Sequence, residues 1–208
     1  MLAMTLHAAR TPLQPLSRDT PAPGPGEVLL RVRACAVCRT DLHIVDGELP
    51  LPRLPLVPGH EIVGIVDALG PGVTTLRPGE RVGVPWLGGT CGHCAYCDLE
   101  AENLCDDAVF TGYTRDGGFA THALADARYC FSLEGLAMDD ASAAPLLCAG
   151  LIGWRALKAT ADASVIGLYG FGAAAHLMAQ VALSQGRTAL AFTRPGDRAA
   201  QRLAHELG

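Results

Sequence analysis

The chain has 208 residues, half of them hydrophobic, and its 21 Asp and Glu against 16 Lys and Arg leave a net charge of −5. That is enough apolar material for a real core in one or two domains, and there is no basic block to meet nucleic-acid phosphates. No run approaches the roughly 18 uninterrupted apolar residues of a membrane span, and the opening MLAMTLHAAR lacks the pattern of a secretory signal, so a cytoplasmic location is expected.

From residue 1 to about 130 the text is short β-branched runs broken by Gly and Pro: GEVLLRVRACAVC, GHEIVGIVDALG, GERVGV and GGFATHALA. Such runs predict an all-β, barrel-like domain. Residues 133–160 change character, with Asp139 and Asp140 ahead of ASAAPLLCAGLIGWRALK, which predicts helices at a domain junction. The apolar run ASVIGLYG then predicts a buried strand, followed by a helix ending near Gly186, a second strand TALAFT and a final helix RAAQRLAHEL. The expected domains are 1–150, β-rich, and 151–208, the start of an α/β unit.

Cys91, Cys94, Cys97 and Cys105 fall within CGHCAYCDLEAENLC. Two-residue gaps let thiolates converge from one tight loop, and a seven-residue excursion can return the fourth sulfur to the same ion. The spacing predicts a closed, structural zinc site. Disulfides are the competing reading, but two-residue gaps hinder bridging among the first three cysteines.

A second set is scattered: Cys38 in CRTDLH, His60 in GHE, and Cys148. These three could meet only by folding, and three protein ligands would leave the fourth position open, as in a catalytic zinc site. Each also has a plain explanation, a buried thiol for Cys148 and a satisfied turn histidine for His60. Gly170-Phe171-Gly172-Ala173-Ala174-Ala175 follows the predicted strand and opens the predicted helix, which is the setting a GxGxxA dinucleotide turn requires. At the end of the second strand, where an acid would bind the NAD ribose, stand Thr193 and Arg194, a pair better suited to a 2′-phosphate. NADP is therefore favoured over NAD.

CRTDLH, GHE, the four-cysteine loop, GGFA, PLLCAG and GxGxxA occur here in the order found in zinc-containing alcohol dehydrogenases of the medium-chain dehydrogenase/reductase superfamily, and the chain resembles that family over its whole length, most of all its bacterial zinc-binding and cinnamyl-type branches. The resemblance implies a GroES-like catalytic domain followed by the opening of a Rossmann domain. It implies two zinc ions per chain, hydride transfer between a small alcohol or aldehyde and NAD(P), and a homodimer or homotetramer for a full-length relative. By the same resemblance Cys38, His60 and Cys148 are the catalytic zinc ligands, Thr40 takes the alcohol proton and His43 carries it onward. Asp41 then orients the histidine ligand, Glu61 is the acid beside the metal, and Trp86 lines the substrate pocket. Apolar Leu49 and Trp86 point to medium or aromatic alcohols rather than polyols, while Cys35 and Cys130 match no ligand position.

Some features depart from the family pattern. Only two strands of a Rossmann sheet of about six precede Gly208, so the chain looks truncated, with an apolar strand edge exposed and little dehydrogenase activity expected of it alone. Ile152 stands where the family commonly has a threonine near the nicotinamide. A non-catalytic zinc-binding GroES-like module is the alternative reading.

Overall fold

Short runs rich in Val, Ile and Leu, set between Gly and Pro turns, build the strands of the first part of the chain. The computed structural model describes residues 1–50 and 53–208, which divide into two units, Met1–Leu147 and Cys148–Gly208. In the first unit β1 (Leu2–Thr5) and β2 (Gln14–Ser17) form an antiparallel pair, followed by β3 (Glu27–Cys35), α1 (Arg39–Val45), β4 (Ile62–Leu69), β5 (Arg81–Val84), β6 (Leu87–Gly89), α2 (Ala95–Asp98), β7 (Val109–Phe110), β8 (His122–Asp126), β9 (Phe131–Ser132) and α3 (Asp140–Ala143). The central sheet is antiparallel with order β8-β3-β4-β5-β9, and β6 pairs with β7 separately.

One face of that sheet is dry. Val28 and Leu30 of β3, Ile62 and Val66 of β4, Val82 and Val84 of β5, and Ala123 and Ala125 of β8 are all buried in one cluster. A separate cluster of Leu6, Ile44 and Leu56 buries α1 and includes Trp86 and Tyr113 at its margin. The pairing of β3 with β4 shifts register twice, between Leu29 and Leu30 near the start of β3 and between Val32 and Ala34 near its end.

Gly59, one residue before His60, has φ +100, and a Cβ there would lie 2.6 Å from Phe119 Cδ1 and 2.9 Å from Cys35 Sγ. Only glycine can take this turn, which brings His60 inside just ahead of β4. At Gly83 a Cβ would meet Leu147 Cδ2 at 2.5 Å, so the end of the first unit is seated directly on β5.

The second unit runs α4 (Ala149–Ala159), β10 (Val165–Tyr169), α5 (Ala173–Ser184), β11 (Thr188–Phe192) and α6 (Arg198–Leu207). β10 and β11 are parallel and α5 connects them, with Leu157, Ile166, Leu168, Ala179 and Ala182 as the shared core. The alternate residues face out: Val165, Tyr169, Leu190 and Phe192 are exposed, and the Tyr169 and Phe192 rings stack at 4.5 Å.

Gly59→Ala is expected to lower the stability of the first unit by about 2–4 kcal/mol, from the positive φ and the overpacking together, read as a shifted midpoint in urea denaturation. A change within about 0.5 kcal/mol would contradict this account of the turn.

Candidate functional site

The four-cysteine loop is closed at its base by the β6–β7 pair, which brings Gly89 opposite Val109. Cys94 caps α2, Cys97 lies within it, and a single 3-10 turn over Glu102–Leu104 delivers Cys105. The sulfur separations are 3.6 Å for Cys94–Cys97, 3.6 Å for Cys91–Cys105 and 3.9 Å for Cys91–Cys97. Four thiolates at the usual zinc–sulfur length of about 2.3 Å span tetrahedron edges of about 3.8 Å, so this donor set fits zinc. All eight cysteines are free thiols, so the competing disulfide reading is not realised. Four thiolates this close repel one another unless a cation sits among them. The Cys97 backbone N–H, acting against partial burial and with help from the neighbouring thiols, brings Cys94 down to about 7.

The second group begins with α1. Cys38 is its N-cap residue, and the Asp41 carboxylate reaches back to accept the Cys38 N–H at 2.8 Å. Asp41 also accepts the Gly59 N–H at 3.1 Å and faces His60 Nδ1 at 3.0 Å. Asp41 is 2% exposed and His60 0%. A carboxylate this buried is tolerable only when its oxygens are met by donors, as they are here. With Nδ1–H donated to Asp41, Nε2 is the lone-pair nitrogen of His60.

Cys38 Sγ lies 3.8 Å from Thr40 Oγ1. Although burial works against it, the Thr40 N–H, the Thr40 hydroxyl and His60 together hold the Cys38 thiol below its ordinary value. Cys148 directly follows Leu147, whose side chain is packed on Gly83, so the peptide bond fixes where its backbone starts. One ligand atom from each of Cys38, His60, Glu61 and Cys148 lies within 4.8 Å of the others. Two sulfurs, an imidazole and a carboxylate are a donor set that suits zinc.

His43 pairs its ring with the Glu48 carboxylate, a partner the sequence reading did not foresee. Trp86 meets His60 edge-on, with centroids 5.0 Å apart and planes at 77°, and stacks on Phe110 at 5.1 Å and Tyr113 at 5.6 Å. The sequence reading did not single out Phe110 or Tyr113. Burial, first among the causes, pushes the thiols of Cys35 and Cys130 up to about 12 each, which leaves them un-ionised at neutral pH.

In the second unit Gly170 has φ +89 and Gly172 caps α5. A Cβ at either glycine would meet nothing within 4 Å, so the turn presents open backbone at the start of a twelve-residue helix, a fit for a pyrophosphate. Ala175 packs against the unit's core, as the small third position of such a turn must. Thr193 accepts a hydrogen bond from Gln201 at 3.2 Å, Arg194 is exposed just beyond β11, and Ile152 lies on α4, 54% exposed.

The sequence profile of the alcohol dehydrogenase GroES-like domain matches residues 24–135, more than half the chain. The chain belongs to this alcohol dehydrogenase family. It is 45% identical over 204 residues to "Probable alcohol dehydrogenase AdhA" of Mycobacterium tuberculosis, covering 95% of this chain and 58% of that protein. It is 41% identical to an alcohol dehydrogenase of Geobacillus stearothermophilus, covering 100% of this chain and 62% of that one. The chain thus spans about three fifths of the curated relatives it matches. Among solved structures, a cobalt- and zinc-bound thermostable alcohol dehydrogenase from Pyrobaculum aerophilum superposes with TM-score 0.88 at 28% identity, over 100% of this chain and 64% of that one. CAD from Helicobacter pylori, solved in complex with NADP(H), superposes with TM-score 0.88 at 26% identity, over 100% of this chain and 62% of that one. The fold is the GroES-like domain followed by the start of a Rossmann-like region.

In metal-free protein, alkylation of Cys94 should rise with pH about a midpoint near 7, whereas Cys35 and Cys130 stay unmodified to about pH 9, because only the thiolate reacts. Peptide mapping by mass spectrometry reads this directly. Cys35 labelled as fast as Cys94 at neutral pH would contradict it.

Proposed function

We propose that this chain carries the metal and cofactor-turn apparatus of a zinc-dependent alcohol dehydrogenase that interconverts an alcohol and its aldehyde or ketone with NAD(P). The observation that carries the reading is the convergence of Cys38, His60, Glu61 and Cys148 around a histidine already oriented by a buried carboxylate. Zinc bound there would supply a Lewis acid that acidifies an alcohol hydroxyl or polarises a carbonyl, and the nicotinamide would take or give the hydride. Cys38, His60 and Cys148 are the proposed ligands of this zinc, with Glu61 as the acid beside it; Cys91, Cys94, Cys97 and Cys105 hold the structural zinc.

Thr40, whose hydroxyl lies beside Cys38 Sγ, accepts the substrate hydroxyl proton, and His43 passes it on, its ring held by Glu48. Asp41 fixes the His60 tautomer and Trp86 offers an aromatic wall at the His60 ring, which favours apolar or aromatic substrates over polyols. Gly170, Gly172 and Ala175 form the pyrophosphate turn. Thr193 and Arg194 at the end of β11 favour NADP over NAD. A cytoplasmic setting suits metal-bound thiols, and among the described residues no helix is long and apolar enough to cross a membrane. Self-association as a dimer or tetramer is the expected assembly of a full-length relative.

Zinc content tests the reading. The purified chain should hold two zinc ions, and Cys148→Ser should hold one, with the four-cysteine site still filled. Unchanged zinc in Cys148→Ser would sink the catalytic assignment and leave a zinc-binding module of the same fold.

A further inference from the structure

Within the first unit a row of aromatic rings runs from the strand pair beneath the four-cysteine loop to His60. Trp86 stands immediately before β6, and Phe110 ends β7, so the strand pair that closes the four-cysteine loop also brings these two side chains together. Their rings stack at 5.1 Å and 25°, and Tyr113 joins at 5.6 Å and 15°. The Trp86 backbone is tied in as well, its carbonyl accepting the Thr111 N–H at 2.8 Å. The turn that follows is fixed by the Phe110 carbonyl, which accepts N–H groups from Thr114 at 3.0 Å and Arg115 at 3.2 Å, while the Phe110 N–H donates to Thr114 Oγ1 at 2.7 Å. At the other end of the row the His60 and Trp86 rings meet edge to face.

The hydrogen bond from Nδ1 to Asp41 does not by itself stop the His60 ring from rocking about that bond. An aromatic ring meeting it nearly at right angles removes this freedom, and a ring can do so only if it is itself held. We propose that Trp86, braced by Phe110 and Tyr113, is a positioning residue that sets the plane of the His60 imidazole, so that closure of the four-cysteine loop and metal affinity at the Cys38–His60–Cys148 group are linked. The proposal rests on the reading of that group as a zinc site. None of the three rings belongs to the metal group, and Trp86 meets that group at His60.

The test uses the full chain and its Phe110→Leu and Phe110→Tyr variants. Zinc affinity is measured by chelator competition, the cobalt(II) absorption spectrum of each site is recorded, and the cross-peak between the Trp86 and His60 rings is followed by NMR in metal-free protein. Phe110→Leu should weaken zinc at the Cys38–His60–Cys148 group about 10-fold, within the range seen when a metal ligand loses its support, and alter the cobalt spectrum of that group alone. Phe110→Tyr should restore both, and the Trp86–His60 cross-peak should fade in Phe110→Leu. Affinity and cobalt spectrum equal to the parent's in a folded Phe110→Leu would overturn the proposal. Tyr113→Leu offers the same readout should Phe110→Leu fail to fold. A parent chain that holds only the four-cysteine zinc would overturn the catalytic zinc assignment, and with it the link to metal affinity. Whether Trp86 positions His60 would then be decided by the cross-peak alone, with an undiminished cross-peak in Phe110→Leu counting against it.

Discussion

A single buried carboxylate organises the first unit. Asp41 accepts the N–H of Cys38, which starts α1, the N–H of Gly59, which makes the inward turn, and the Nδ1–H of His60. Those three donors come from two segments of the chain, the cap of α1 and the turn at Gly59 and His60, and the charge at their centre ties the two together. The charge in turn would be too costly to bury without them. The core along β3, β4, β5 and β8 holds the sheet, while this one contact set places Cys38 against His60.

The two cysteine-rich groups solve the same chemical problem by different means. Cys91, Cys94, Cys97 and Cys105 come from one loop, present four sulfurs and are closed, which suits a metal that holds a loop in shape. Cys38, His60, Glu61 and Cys148 come from a helix cap, the turn ahead of β4 and the residue after Leu147, and include an oxygen donor. A site assembled from distant segments exists only when the fold does, and its donors can be oriented individually. Phe110 and Trp86 show that the loop and the assembled site are also neighbours through side-chain packing.

Much of this was legible in the sequence, for identifiable reasons. The convergence of the four-cysteine loop follows from spacing alone, because short gaps leave the sulfurs few places to go. The strand at Val165–Tyr169 and the helix from Ala173 follow from an apolar run ending in Gly-x-Gly. The stack of Trp86, Phe110 and Tyr113 left no trace in the sequence, since it depends on a two-residue strand and a turn whose hydrogen bonds are local and unpatterned. The same is true of the His43–Glu48 pair, which needs the end of α1 to turn back at Gly47. Cys38 as a helix cap was equally hidden, because cysteine is a poor predictor of that position and Thr40 the more usual candidate.

The most direct test of the account is the zinc affinity of Asp41→Asn, measured by chelator competition at the Cys38–His60–Cys148 group. An amide keeps the shape but turns one oxygen into a donor that faces the N–H groups now bound there. The account predicts affinity lower by about 10- to 100-fold at this group, with the four-cysteine loop still holding its zinc. Unchanged affinity in the folded variant would contradict it, and the carboxylate would then be a feature of the turn alone.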